Sequence, residues 1–322
     1  MNQLSIQIRI VIFALLCSAL ACNLPSQAQS TEIPDSTATE VPVESELSET
    51  QNPTATAVPT EPTPQPTEIQ SEERDLRQFG VILVTEDDVL NVRSGAGVEN
   101  EIVDMFEPRA IGITQTGNQE RVGDSLWVEV NLAGGGTGWV NSRFLTRQVS
   151  EDIFCNEPAV RELLQNFVLA VRDEDGDAMQ ELVSPKTGLL VRLAWWNSEV
   201  AFLEPGVRGN IIEQERSHDW GVQSGSGAPL IGSFSERALP DLHDVLDGDF
   251  SRNCNTLEHG VASGNTAGLV IWPFEYTNVN YIALFREAAP GDEFNWRTWA
   301  VGIEYLRGEP FIAMLVQYQW EP

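Results

Sequence analysis

The chain has 322 residues, 42% of them hydrophobic and 8% aromatic, so a packed core is within reach, while 18 prolines and 25 glycines leave room for an unfolded stretch. Its 48 acidic residues against 19 basic ones give a net charge of −29, with Lys186 the only lysine, and a surface this acidic excludes nucleic-acid phosphates and anionic lipid headgroups as partners. Four cysteines and three histidines are too few for a zinc array or a cystine-knot scaffold.

Residues 1–28 read as an export signal: Arg9 is the only side-chain charge, and an apolar run over residues 10–16 is too short to cross a bilayer permanently. The sequence Ser18-Ala19-Leu20-Ala21-Cys22 that follows resembles a bacterial lipobox. That resemblance implies removal of residues 1–21 and lipid on Cys22, anchoring the exported chain to the outer face of the cell membrane. Cleavage after Ser26-Gln27-Ala28 is the alternative and would release a secreted protein. The anchored form is preferred because Cys22 otherwise has no task.

Residues 22–77 are Thr, Pro, Glu and Ser with scattered Ala and Val, and they show neither helical nor strand periodicity. Such a segment buries too little apolar surface to offset its ordering entropy, so it is expected to be a disordered acidic tether. Its reach lies between ~40 and ~150 Å depending on its polyproline content. The composition suits a merely solubilising spacer equally well.

Residues 78–148 carry short apolar runs separated by Gly, Asn and Asp, the pattern of a small all-β barrel. Three blocks stand out: Leu90-Asn91-Val92-Arg93-Ser94-Gly95-Ala96-Gly97, Leu126-Trp127-Val128-Glu129-Val130 and Gly138-Trp139-Val140-Asn141-Ser142-Arg143-Phe144-Leu145. In order and spacing they resemble the bacterial SH3-like domain, with Ala96 where that family usually has proline. The resemblance implies binding of peptidoglycan or another wall component in an aromatic-lined groove near these turns. Asn91, Arg93, Trp127 and Trp139 are the candidate groove residues, none of them catalytic. The competing reading makes Asn91, Arg93 and Trp139 props of the barrel itself. Alternation predicts Leu90 and Val92 inward, and Leu126, Val128 and Val130 opposite Trp127 and Glu129.

Residues 150–322 are long enough for a core of their own. Pro158 opens an amphipathic helix carrying Val160, Leu163, Leu164, Phe167, Val168 and Val171. Asp173-Glu174-Asp175-Gly176 ends it, and Asp177 with Gln180 is expected to cap a second, shorter helix. Strands are expected over residues 189–194, 269–274, 281–285, 296–305 and 311–320, the last two joined by a hairpin turn at Leu306-Arg307-Gly308-Glu309. Helices followed by an antiparallel meander indicate an α+β domain, and the expected architecture is therefore multi-domain: tether, SH3-like barrel, α+β. The helix pair with strands behind it faintly resembles the cone-shaped fold of nuclear-transport-factor-like and polyketide-cyclase-like domains. The segments around His218-Asp219-Trp220 and Asn295-Trp296-Arg297 are similar to an uncharacterised extracellular domain of bacterial lipoproteins. Neither resemblance implies an activity.

Cys155 and Cys254 remain once Cys17 leaves with the signal and Cys22 is acylated, and an even pair in an exported chain reads first as a disulfide. The alternative, a cysteine nucleophile with His259 or His218, lacks the motif of wall peptidases. His218, His243 and His259 lack the spacing of a helix-borne zinc pair, and Asp173-Glu174-Asp175-Gly176-Asp177 departs from a calcium loop, so no metal or cofactor is expected. Trp195 and Trp196, among seven tryptophans of this segment, are candidates for a sugar-stacking face, with core packing as the rival reading. The expected function is a non-catalytic envelope lipoprotein whose partners are a wall polymer or envelope protein, with membrane contact only through the lipid. Two rivals are an extracellular enzyme using His218 or His243 with an acidic neighbour as general base, and a structural spacer.

Overall fold

The computed structural model describes residues 78–202, 209–257 and 270–321. The expected export signal, Cys22, the expected tether and His259 lie outside them. Two main antiparallel sheets dominate, with few helices, and no helix among the described residues is long and apolar enough to cross a membrane.

The amino-terminal sheet has seven strands: β1 (Gln78–Val81), β2 (Leu90–Arg93), β3 (Ile102–Phe106), β4 (Ile113–Val122), β5 (Ser125–Asn131), β6 (Thr137–Asn141) and β7 (Leu145–Arg147), in the order β3-β2-β6-β5-β4-β1-β7. Strand alternation decides its inside. Leu90, Val92, Val128, Val130 and Val140 point into one small core with Val81, Ile113 and Leu145. Gly138 has to be glycine, because a Cβ there would lie 2.4 Å from a methyl of Val92. Between β5 and β6, Gly135 and Gly136 take positive φ at the hairpin tip the glycine run predicts.

The chain then forms α1 (Glu151–Asn156), α2 (Pro158–Arg172) and α3 (Gly176–Leu182). α2 is the predicted amphipathic helix, and its apolar stripe is buried. The cap of α3 differs from expectation: the Asp175 carboxylate, not Asp177, accepts the N–H of Ala178 at 2.9 Å. Glu174 takes positive φ at the preceding turn, which brings Asp175 into the capping position two residues early.

A second sheet follows from β8 (Leu189–Arg192), β9 (Val200–Phe202), β12 (Ser251–Cys254), β13 (Asn280–Arg286), β14 (Arg297–Leu306) and β15 (Glu309–Gln319), ordered β12-β13-β14-β15-β8-β9. Only β15 and β8 run parallel. β10 (His218–Val222) and β11 (Pro229–Gly232) form a separate hairpin before α4 (Phe234–Arg237) and α5 (Leu239–Leu246). The predicted turn is present: Leu306 pairs with Glu309 across Arg307 and Gly308, both at positive φ. Two strand expectations need correction. Residues 270–273 form no strand and lead into a 3-10 turn over Phe274–Tyr276, and β8 stops at Arg192, because Asn197 N–H closes a turn onto the Ala194 carbonyl.

Both faces of this sheet are buried. One packs on the helices through Phe167, Leu242, Leu284, Trp299 and Leu315, and the other covers Tyr276, Ala283, Ala300, Met314 and Tyr318. Ile82, from the segment after β1, belongs to that second cluster, so the amino-terminal chain helps to fill it. Polar links reinforce the contact: Asn278 donates its side-chain amide to the Val81 carbonyl at 2.8 Å, and Lys186 donates to the Leu145 carbonyl at 2.6 Å while pairing with buried Glu304.

Candidate functional site

Residues directly opposed in a sheet share a face, and that rule assembles the candidate groove residues. Arg93 of β2 stands opposite Trp139 of β6, which stands opposite Glu129 of β5. One row along, Asn141 faces Trp127, and Trp127 faces Glu120. Asn91 lies two residues from Arg93 and so on the same side. All four candidates thus lie on the face turned away from the small core.

Exposure separates them. Trp127 is only 5% exposed and is a packed side chain, whereas Asn91, Arg93 and Trp139 are half-buried. On the β3 side, Ile102 opposite Arg93 and Met105 opposite Asn91 are 51% and 56% exposed. The outer face therefore presents apolar side chains, then a guanidinium, an indole and a carboxylate in sequence. Arg93 also has a structural task, donating to the Asn100 carbonyl at 2.7 Å and so holding the turn after β2, and Asn100 in turn donates to the Ala96 carbonyl.

Glu129 is the residue the sequence reading did not single out. Its carboxylate accepts from the hydroxyls of Thr116 at 2.7 Å and Thr137 at 2.8 Å and from the amide of Asn118 at 2.8 Å. These donors, Thr116 foremost, hold its pKa below the ordinary glutamate value, so it stays ionised. Among the described residues neither Glu129 nor Arg93 has an ion-pair partner. The only signal in the sequence was alternation, which places Glu129 beside Trp127 but cannot reveal three donors brought from β4 and β6.

The edge strand β3 is not a template for another strand. Its register slips between Val92 and Arg93 of its neighbour, and the Asp104 carboxylate accepts the Met105 N–H at 2.8 Å. A bulge and a charge on the edge both obstruct strand addition.

Trp195 and Trp196 stand apart from that row, on the turn after β8. Trp195 is half-buried against the second cluster of the six-stranded sheet, and Trp196 is 38% exposed with its indole N–H donated to the Glu321 carboxylate at 2.9 Å. Cys155 and Cys254 are joined, with Cα atoms 5.8 Å apart. His218 packs 4.7 Å from the Phe202 ring, and burial followed by the charge of Arg216 lowers its pKa. His243 meets Asp247 at 3.0 Å and Glu174 at 3.6 Å on the helical side. Among the described residues no His, Cys, Asp and Glu cluster could hold a metal ion. No family model matches the chain, and neither a curated protein nor a solved structure is similar to it.

Proposed function

We propose that this protein is a non-catalytic, lipid-anchored component of the bacterial cell envelope, in which an SH3-like barrel over residues 78–148 binds a wall polymer. The α+β domain of residues 150–322 is carried with it and binds a ligand or partner of its own. The observation that carries this reading is the Arg93, Trp139 and Glu129 row on the outer face of the amino-terminal sheet. An aromatic ring flanked by a fixed carboxylate and a guanidinium fits a polyhydroxylated chain: the ring covers apolar C–H faces, the carboxylate accepts hydroxyls and the guanidinium donates. A row of side chains along one sheet face suits a long polymer better than an enclosed small molecule.

The surroundings support the rest of the reading. A joined cysteine pair suits an oxidising compartment outside the cytoplasm. The acidic tether ahead of Gln78 suits an anchored protein that works at a distance from an anionic membrane.

Co-sedimentation of residues 23–322 with purified peptidoglycan tests the proposal. The wild-type chain is expected to pellet, Trp139→Ala and Glu129→Gln to remain largely in solution, and a wild type that stays in the supernatant overturns it.

A further inference from the structure

The groove between α2 and α3 shares no residue with the Arg93, Trp139 and Glu129 row. It is open, holds about 360 Å³, and its lining includes Leu169, Ala170 and Leu182 beside Asp173, Asp175 and Glu181. Its floor is apolar, and Leu169 is 55% exposed although it belongs to the helix whose other leucines are buried. All the charged residues that line it are acidic. Among the described residues Asp173, Asp175 and Glu181 have no ion-pair partner. Arg172, the nearest base in sequence, is turned away and donates to the Leu246 carbonyl.

Charge decides what can fill such a groove. A second copy carries the same −29 and brings acid against acid. The chain's own tether is excluded likewise, because residues 23–77 hold eleven acidic residues and two arginines. An apolar floor inside an anionic rim complements a segment with an apolar ridge flanked by cations.

We propose that the α2–α3 groove docks a basic amphipathic helix of a partner protein. The volume accepts one or two apolar side chains, with Leu169 beneath them. Asp175 and Glu181 lie six residues apart, about 9 Å along a helix axis. The partner is therefore expected to place Lys or Arg about two turns apart on either side of its apolar ridge. This inference deepens the second half of the reading above and is independent of wall binding.

The test uses the chain of residues 23–322 and a labelled synthetic helix with leucines at i, i+3, i+4 and i+7 and lysines on both flanks, titrated by fluorescence anisotropy. Saturable binding is expected. Glu181→Lys is expected to weaken it about tenfold, while Asp124→Lys, which changes net charge equally on the exposed β4–β5 turn, is expected to change it less than about twofold. Leu169→Glu is expected to weaken binding although it adds a negative charge, the response that general electrostatic attraction would not produce. Equal loss in Glu181→Lys and Asp124→Lys, undiminished binding by Leu169→Glu, or no saturable binding overturns the proposal. Peptidoglycan pelleting of the same variants is read alongside: it stays intact if only the groove proposal fails, and its absence in the wild type marks failure of the wall-binding reading.

Discussion

The amino-terminal sheet and the six-stranded sheet differ in how many faces they bury. In β2 and β6, buried and accessible residues alternate, so one face is core and the other is free to carry Arg93, Trp139 and Asn141. In β13 and β14 nearly every residue is buried, because helices cover one side and an aromatic cluster the other. A sheet covered on both faces has no surface left for recognition, and it acts as the frame that holds the half-exposed one. The same change of residue type should therefore cost far more stability in the six-stranded sheet than in the amino-terminal one.

The largest effect is expected from Trp299→Ala. That indole is fully buried and donates to the Asp241 carbonyl at 3.0 Å, so truncation should cost about 3–5 kcal/mol, read as a lower denaturant midpoint. A loss below about 1 kcal/mol would contradict the description of β14 as core.

Opening the Cys155–Cys254 link should come next. The cysteines are 99 residues apart in sequence, and the chain-entropy account gives about 4.7 kcal/mol for closing such a loop. Intact mass before and after reduction checks the link, and the melting of a Cys155→Ala, Cys254→Ala double variant checks its weight.

The contact between the sheets can be probed with Asn278→Ala, which removes the donor to the Val81 and Ala110 carbonyls and should cost about 1–2 kcal/mol. Gly80→Ala acts on the same contact from the other side, since its new Cβ would lie 2.8 Å from the Asn278 side chain.

A smaller, pH-dependent effect belongs to His218. Its pKa is lowered in the folded state, first by burial and then by Arg216, so its neutral form is the one the fold accommodates. Its contribution is fully present above the unfolded value near 6.5 and is lost as pH falls through the lower folded value. His218→Phe is expected to flatten the stability profile as pH falls below the unfolded value near 6.5; an unchanged slope would remove His218 as its source.

The smallest stability effect is expected from Trp139→Ala, under about 1 kcal/mol, because the side chain is only half-buried on a free face. If that variant melts like the Trp299 variant, the contrast between the sheets fails.

Much of this was legible where one strand or helix settles the matter. The apolar stripe of α2 and the inward residues of β2 follow from periodicity, and the turn at Arg307-Gly308 follows from a glycine that tolerates positive φ. Boundaries set by neighbours were less legible. Residues 270–273 are apolar enough for a strand, but the chain turns there so that Tyr276 can be buried and the Trp272 indole can donate to the Tyr276 carbonyl. The candidate site divides in the same way. Local blocks marked Asn91, Arg93, Trp127 and Trp139, yet only register across β2, β6 and β5 puts them on one face, and only packing hides Trp127 while leaving Trp139 accessible.

By itself, the sequence determined the acidity, the polar composition ahead of Gln78, the turns and the inward and outward alternation, because each depends on residues within a few positions of one another. Tertiary structure alone decided which charges remain unpaired and which surfaces remain free. Thr116, Asn118 and Thr137 meet at Glu129 from separate strands, and Leu169 is left uncovered above α3, since burial and pairing depend on which distant segments arrive at the same place.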